Sequence, residues 1–230
     1  MPNSEFSFEK ESPYYEELIQ NFTPGTYKYE IKTQDNLNYL YIKGKKTSKY
    51  LMLINNNLLI LYGKDKTEPL FEGISPSSLQ EAIGKLSNPK PSDKQGFIAS
   101  SELTEKGKTY SANNVSSLDS GMPWVEGVKG PGIGESLKIY IGERSLIFSI
   151  GYVDVKNSAL YKENSRPKKI KITTPTQELF FDLKDTPNPQ EVLINEPNAF
   201  KGYEVKITIM EVYSGTKYDD TCINFILGRR

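Results

Sequence analysis

Glu126 and Glu135 flank the segment Gly130-Pro131-Gly132-Ile133-Gly134. Two carboxylates so placed are what a glycosidase needs, one as acid and the other as base or nucleophile, with no call on histidine. That matters because the chain has no histidine at all, which removes Ser-His-Asp triads, Cys-His dyads and histidine-ligated zinc or iron. The commoner duties of such glutamates are to pair with Arg166 or Lys129, or to accept hydrogen bonds from loop amides or sugar hydroxyls. The glycines between them lack the Gly-Lys-Ser/Thr ending of a phosphate loop and run into a strand pattern, so they read as a tight turn. Cys222, the single cysteine, forms no internal disulfide and sits in the apolar run Thr221-Cys222-Ile223, where a buried, inert thiol is expected.

Other residues suit binding without chemistry. Trp124 is the only tryptophan; it is either a core residue or a platform for the apolar face of a pyranose ring. Tyr152 and Tyr161, in the segment between Ile150 and Asn164, are candidates for the same stacking. Arg166 lies in a polar turn before a strand, where its planar fork suits a carboxylate or vicinal hydroxyls, or else an internal salt bridge. Lys168, Lys169 and Lys171 alternate with Ile170 and Ile172, the pattern of a solvated strand face.

These side chains must be positioned by strands. Tyrosine is abundant, 15 against 10 phenylalanines, and the hydrophobic fraction is 37%, which favours half-exposed sheets over helices. An arm is expected over residues 1–22, with a short helix starting near Tyr14. Residues 23–86 read as a small β-rich domain: Tyr27 to Ile31, Leu37 to Ile42, Leu51 to Ile54 and Leu58 to Tyr62 form a meander turning at Gln34-Asp35-Asn36 and Asn55-Asn56-Asn57. Leu79, Ala82, Ile83 and Leu86 then give one amphipathic helix behind Ser77-Ser78. The linker is 87–96, with Pro89 and Pro91 and no apolar residue. From 97 to 230 the signal is almost wholly β, with strands over Leu137 to Ile141, Leu146 to Ile150, Ile170 to Ile172, Leu179 to Leu183, Glu191 to Ile194, Val205 to Ile209 and Thr221 to Leu227.

Within that part, Tyr110-Ser111-Ala112-Asn113-Asn114-Val115, Asp119 and Trp124-Val125-Glu126-Gly127 resemble the opening of discoidin, or coagulation-factor type-C, domains. Gly130 to Glu135, Gly151-Tyr152, Tyr161, Asn164 to Lys169 and Val212 to Thr221 resemble the bacterial subgroup named after the translocation domain of streptococcal NAD glycohydrolase. The resemblance covers about Ser100 to Leu227 and does not extend to the first 95 residues. It implies a jelly-roll β-sandwich that binds glycan through loops at one end, and it does not bring the glycohydrolase activity of a different domain. Many discoidin modules also hold calcium near the Asp turn, which Asp119 fits, but Asn224-Phe225 stands where an acidic residue would be expected, so no metal is predicted.

The expectation is therefore a mainly β, non-catalytic glycan-binding protein without cofactor, whose contacts are drawn from Trp124, Glu126, Glu135, Tyr152, Tyr161, Asn164 and Arg166. Two alternatives stand beside it: a protein-interaction or envelope-structural role for residues 1–86, and a carboxylate-dependent glycosidase. With 29 basic against 29 acidic residues, no nucleic-acid partner is expected. No apolar run approaches the roughly 20 residues of a membrane span. Export to a periplasm or cell surface is expected, with lipid anchoring in the native form as one route and the leader lying outside this chain.

Overall fold

The computed structural model describes residues 5–8, 25–43, 47–55, 58–63, 71–74, 96–119, 121–197 and 199–229. The helices expected near 14–19 and 79–86, and the linker up to residue 95, lie outside the described residues.

The first sheet is a six-stranded antiparallel meander in chain order: β1 Glu5–Phe8, β2 Gly25–Gln34, β3 Leu37–Lys43, β4 Thr47–Ile54, β5 Leu58–Gly63 and β6 Phe71–Ile74. Asp35 and Asn36 both adopt positive φ, 51° and 66°, so the β2–β3 hairpin turns in the sense that matches strand twist. Asn55 accepts the Leu58 amide on its side chain at 2.7 Å, closing the β4–β5 hairpin. One difference from the sequence reading is β1, which pairs with β2 inside the expected arm. Its four residues, Glu-Phe-Ser-Phe, are too short a run for alternation to stand out.

The remainder is a sandwich. Its five-stranded sheet runs β14 Glu178–Asp182, β13 Arg166–Thr173, β16 Tyr203–Tyr213, β11 Ser136–Ile141 and β7 Ile98–Ala99. The facing four-stranded sheet runs β10 Trp124–Val125, β17 Cys222–Arg229, β12 Ser145–Ile150 and β15 Gln190–Leu193. A small hairpin, β8 Thr104–Glu105 with β9 Lys108–Thr109, a short α-helix, α1 Leu160–Glu163, and 3-10 turns at Ala112–Ser116 and Ala199–Lys201 decorate it. Leu137, Ile139, Ile170, Ile172, Val205, Ile207 and Ile209 from one sheet meet Leu146, Phe148, Ile150 and Ile223 from the other. Alternation in β11, β13 and β16 therefore selects the buried face, as the period of two requires.

The strand β12 is buried on both faces, because the meander packs on the outside of the four-stranded sheet. Leu37, Tyr39, Leu51, Leu53, Leu58, Ile60 and Tyr62 form one cluster with Ile147, Val153, Tyr161 and Phe225. The molecule is thus three layers of sheet with two apolar seams. A bulge in β17 serves both: Ser149 pairs with Phe225 but Ile150 with Ile223, which leaves Asn224 over. Ile223 and Ile226 accordingly face the sandwich core while Phe225 faces the meander. The extra Asn224 is buried and donates to Ser149 Oγ at 3.0 Å, and Ser149 donates to the Pro187 carbonyl at 2.7 Å.

Candidate binding rim

Strand ends bring the polar loops together. Arg166 at the start of β13 pairs with Tyr213 at the end of β16, and Ile150 at the end of β12 pairs with Ile223 near the start of β17. Backbone bonds lace the loops that follow: Gly151 N to Cys222 O at 2.9 Å, Ser165 N to Asp220 O at 3.1 Å, and Glu126 N to Thr221 O at 3.3 Å. The segments 126–135, 151–165, 183–189 and 214–221 consequently share one end of the sandwich.

Most of the residues singled out by sequence hold this end together instead of lining it. The Trp124 indole is fully buried and donates to the Ser101 carbonyl at 3.0 Å, so it is a core residue and no platform. Tyr161 is also sealed, on α1 instead of an open loop, and its hydroxyl donates to Asp185 Oδ1 at 3.0 Å. Arg166 is 4% exposed; it grips Asp185 with Nε at 2.7 Å and Nη2 at 2.9 Å, and gives Nη1 to the Asn164 carbonyl at 3.0 Å. Its guanidinium stacks between Tyr161 and Tyr213, 5.1 and 5.8 Å from the ring centroids. Of the two roles open to it, the internal bridge is the one formed. Asn164, likewise buried, donates its amide back to Leu160 O at 2.9 Å and ends α1.

Asp185 is the hub that sequence reading missed. It also takes Lys162 Nζ at 3.0 Å, and its carbonyl accepts Asn36 Nδ2 from the meander at 3.1 Å. Burial pushes the Asp185 carboxyl up, but hydrogen bonds from Arg166 and Lys162 outweigh it and hold the group well below the usual carboxylate range. No local signal links it to Arg166, since the pair forms only when the ends of β13 and β14 meet.

The glutamate pair is equally committed. Glu126 is 0% exposed, accepts the Val128 amide at 2.9 Å and the Thr221 amide at 3.0 Å, and lies directly under Gly132. Burial raises its pKa, with Asp220 and Glu135 adding to the effect and the two backbone amides working against it. A Cβ at Gly132 would fall 2.4 Å from Glu126 Cγ, and φ there is +63°, so this glycine is required by both contact and conformation. Glu135 accepts the hydroxyls of Ser100 and Ser101 on one oxygen, Oε2. Neither glutamate pairs with Arg166; loop amides and serines are their partners among the described residues.

The accessible side chains at this end include tyrosines, beside the exposed Val128 and Ile133. Tyr152, half-buried, meets Tyr110 edge-on, with centroids 5.9 Å apart at 71° and hydroxyls 3.3 Å apart. Lys108 Nζ stands 4.7 Å from the Tyr110 centroid. Burial, then the contact with Tyr110, pushes the Tyr152 hydroxyl up, so it stays a neutral donor and acceptor. Tyr218 is exposed on 214–221, with Lys217 Nζ 4.9 Å from its ring. Tyr110 opens the first motif quoted above, but nothing in the chain marked it as Tyr152's partner.

The calcium that many discoidin modules hold does not fit the donors present. Among the described residues Asp119 keeps Oδ1 buried without a hydrogen-bond partner, which suits a cation, yet Asn224 is committed to Ser149 and no group of three His, Cys, Asp or Glu gathers. Cys222 is buried, and burial raises its thiol pKa well above the ordinary value.

Two facing antiparallel sheets with their loops collected at one end define a β-sandwich domain. The chain belongs to the NAD glycohydrolase translocation F5/8 type C domain family, whose model matches residues 91–227. Among solved structures it is similar to the third CBM32 module of a family 31 glycoside hydrolase from Clostridium perfringens, at 12% identity and TM-score 0.43 over 59% of this chain and 92% of that one. It is also similar to the arabinofuranosyltransferase AftD from Mycobacteria, at 10% identity and TM-score 0.44, covering 70% of this chain but 14% of the enzyme. No curated protein matches the sequence. No helix among the described residues is long and apolar enough to cross a membrane.

Proposed function

We propose that the protein is a non-catalytic glycan-binding module that takes its ligand at the rim beside Tyr110 and Tyr152. The observation that carries this reading is the tyrosine pair: two rings at right angles, both hydroxyls together, at the end where the loops of an F5/8 type C domain gather. Such a pair offers an apolar ring face to a pyranose and a donor–acceptor point to its hydroxyls. Lys108 beside Tyr110 adds a cation at the same place. The glycosidase alternative loses support because Glu126 is sealed and already bonded at both oxygens, so it has no reach to a shared substrate. An exported, envelope-facing location accords with a glycan ligand; fractionation of cells expressing the native gene tests it, and recovery with cytoplasmic markers alone contradicts it.

A glycan microarray probed with the wild type and with Tyr152→Ala tests the reading. Binding to a defined set of glycans, lost in the variant, is expected. An array without a hit, or hits that persist in the variant, removes it.

A further inference from the structure

The β2–β3 hairpin does more than reverse the chain. Gln34 pairs with Leu37, so Asp35 and Asn36 make the turn, both at positive φ, and an Asp-Gly pair would suffice for that geometry. Both side chains nevertheless reach loops of the sandwich. Asp35 Oδ2 accepts Ser158 Oγ at 2.8 Å, Gln34 Nε2 stands 3.5 Å from the same hydroxyl, and Asn36 Nδ2 donates to the Asp185 carbonyl at 3.1 Å. One turn therefore bridges 151–165 and 183–189, the segments that Tyr161 and Lys162 also join through the Asp185 carboxylate.

Tyr152 belongs to the first of these segments. The residue after it, Val153, is fully buried in the cluster with Leu37 and Tyr39, and Val155 packs against that cluster. Asp154 Oδ1 accepts the amides of Lys156 and Asn157 at 2.6 and 3.3 Å, a turn that shapes the span up to Ser158. The run from Tyr152 to Ser158 is thus tied to the meander at Val153, Val155 and Ser158. We infer that the β2–β3 hairpin is a positioning element for the rim: by fixing Ser158 and the Asp185 carbonyl it holds Tyr152 edge-on to Tyr110, and it sets glycan affinity from outside the matched residues 91–227. The effect on affinity rests on the glycan reading above; the effect on ring geometry does not.

The test is a double variant of the whole chain, Asn36→Gly with Ser158→Ala, which removes these hydrogen bonds while glycine keeps the positive φ of the turn. Ring-to-ring proton contacts between Tyr110 and Tyr152 are read by NMR without ligand, and affinity for the strongest array glycan is read well below the unfolding midpoint. The double variant is expected to weaken the ring contacts and to lose about threefold or more in affinity, whereas Ser158→Thr, which keeps the hydroxyl, matches wild type in both. A hairpin that adds only stability would lower the unfolding midpoint of the double variant and leave ring contacts and affinity at wild-type values; that result overturns the inference. Failure of the rim is distinguishable: wild type would then bind no array glycan, and the ring contacts decide the hairpin's role, support coming from their weakening in the double variant and refutation from their persistence.

Discussion

Gly151 turns the chain out of β12 with φ at +86°, and a Cβ there would lie 2.6 Å from the Tyr161 ring. Its replacement by alanine combines left-handed strain with a collision in the seam, so Gly151→Ala is expected to cost about 2–4 kcal/mol in denaturant unfolding; a loss near zero contradicts the packing described. Next to it, Asp185 sets an acid limit. Because its folded pKa is depressed, its contribution is present above the unfolded value near ~4 and is lost as pH falls through the folded one. Unfolding midpoints measured from about pH 6 downward should therefore drop on acidification, with a shallower fall in Asp185→Asn. The same slope in both proteins argues against the hub. Arg166 shows what sequence could and could not say: both a ligand grip and an internal bridge were legible, but Asp185, which decides between them, is brought close only by folding.

Strand faces were legible wherever one side met solvent. Alternation in Leu137 to Ile141, Ile170 to Ile172 and Val205 to Ile209 marks the core side, and the structure buries those residues. It fails where two apolar faces meet or a bulge intervenes. The run Ser-Leu-Ile-Phe-Ser-Ile of β12 has no exposed face, since Ile147 serves the meander while Leu146 and Phe148 serve the sandwich. Asn224 breaks the count in β17 for the same reason. The seam makes Phe225 a sensitive position, and Phe225→Ala should cost about 3–5 kcal/mol by thermal or chemical unfolding. A chain beginning at Gly96 leaves Ile147, Val153, Tyr161 and Phe225 without the meander, so it should bind hydrophobic dyes and self-associate in sedimentation. If it sediments as a dye-silent monomer of undiminished stability, the seam contributes little.

For the molecule as a whole, three sheets stack, and the loops gathered at one end of the sandwich carry the ligand proposal. The buried members, Trp124, Glu126, Tyr161, Asn164 and Arg166, hold that end together; Tyr152 with Tyr110 presents it. Glycan affinity should thus depend on few side chains and weaken only modestly with salt, because the proposed contacts are mainly neutral rings and hydroxyls, with Lys108 as an adjacent charge. The most direct measurement is titration calorimetry of the strongest array glycan against wild type, Tyr110→Ala and Tyr152→Ala, with the unfolding midpoint of each taken alongside. The account predicts that each variant stays folded and loses about tenfold or more in affinity. Folded variants that bind as tightly as wild type would contradict it.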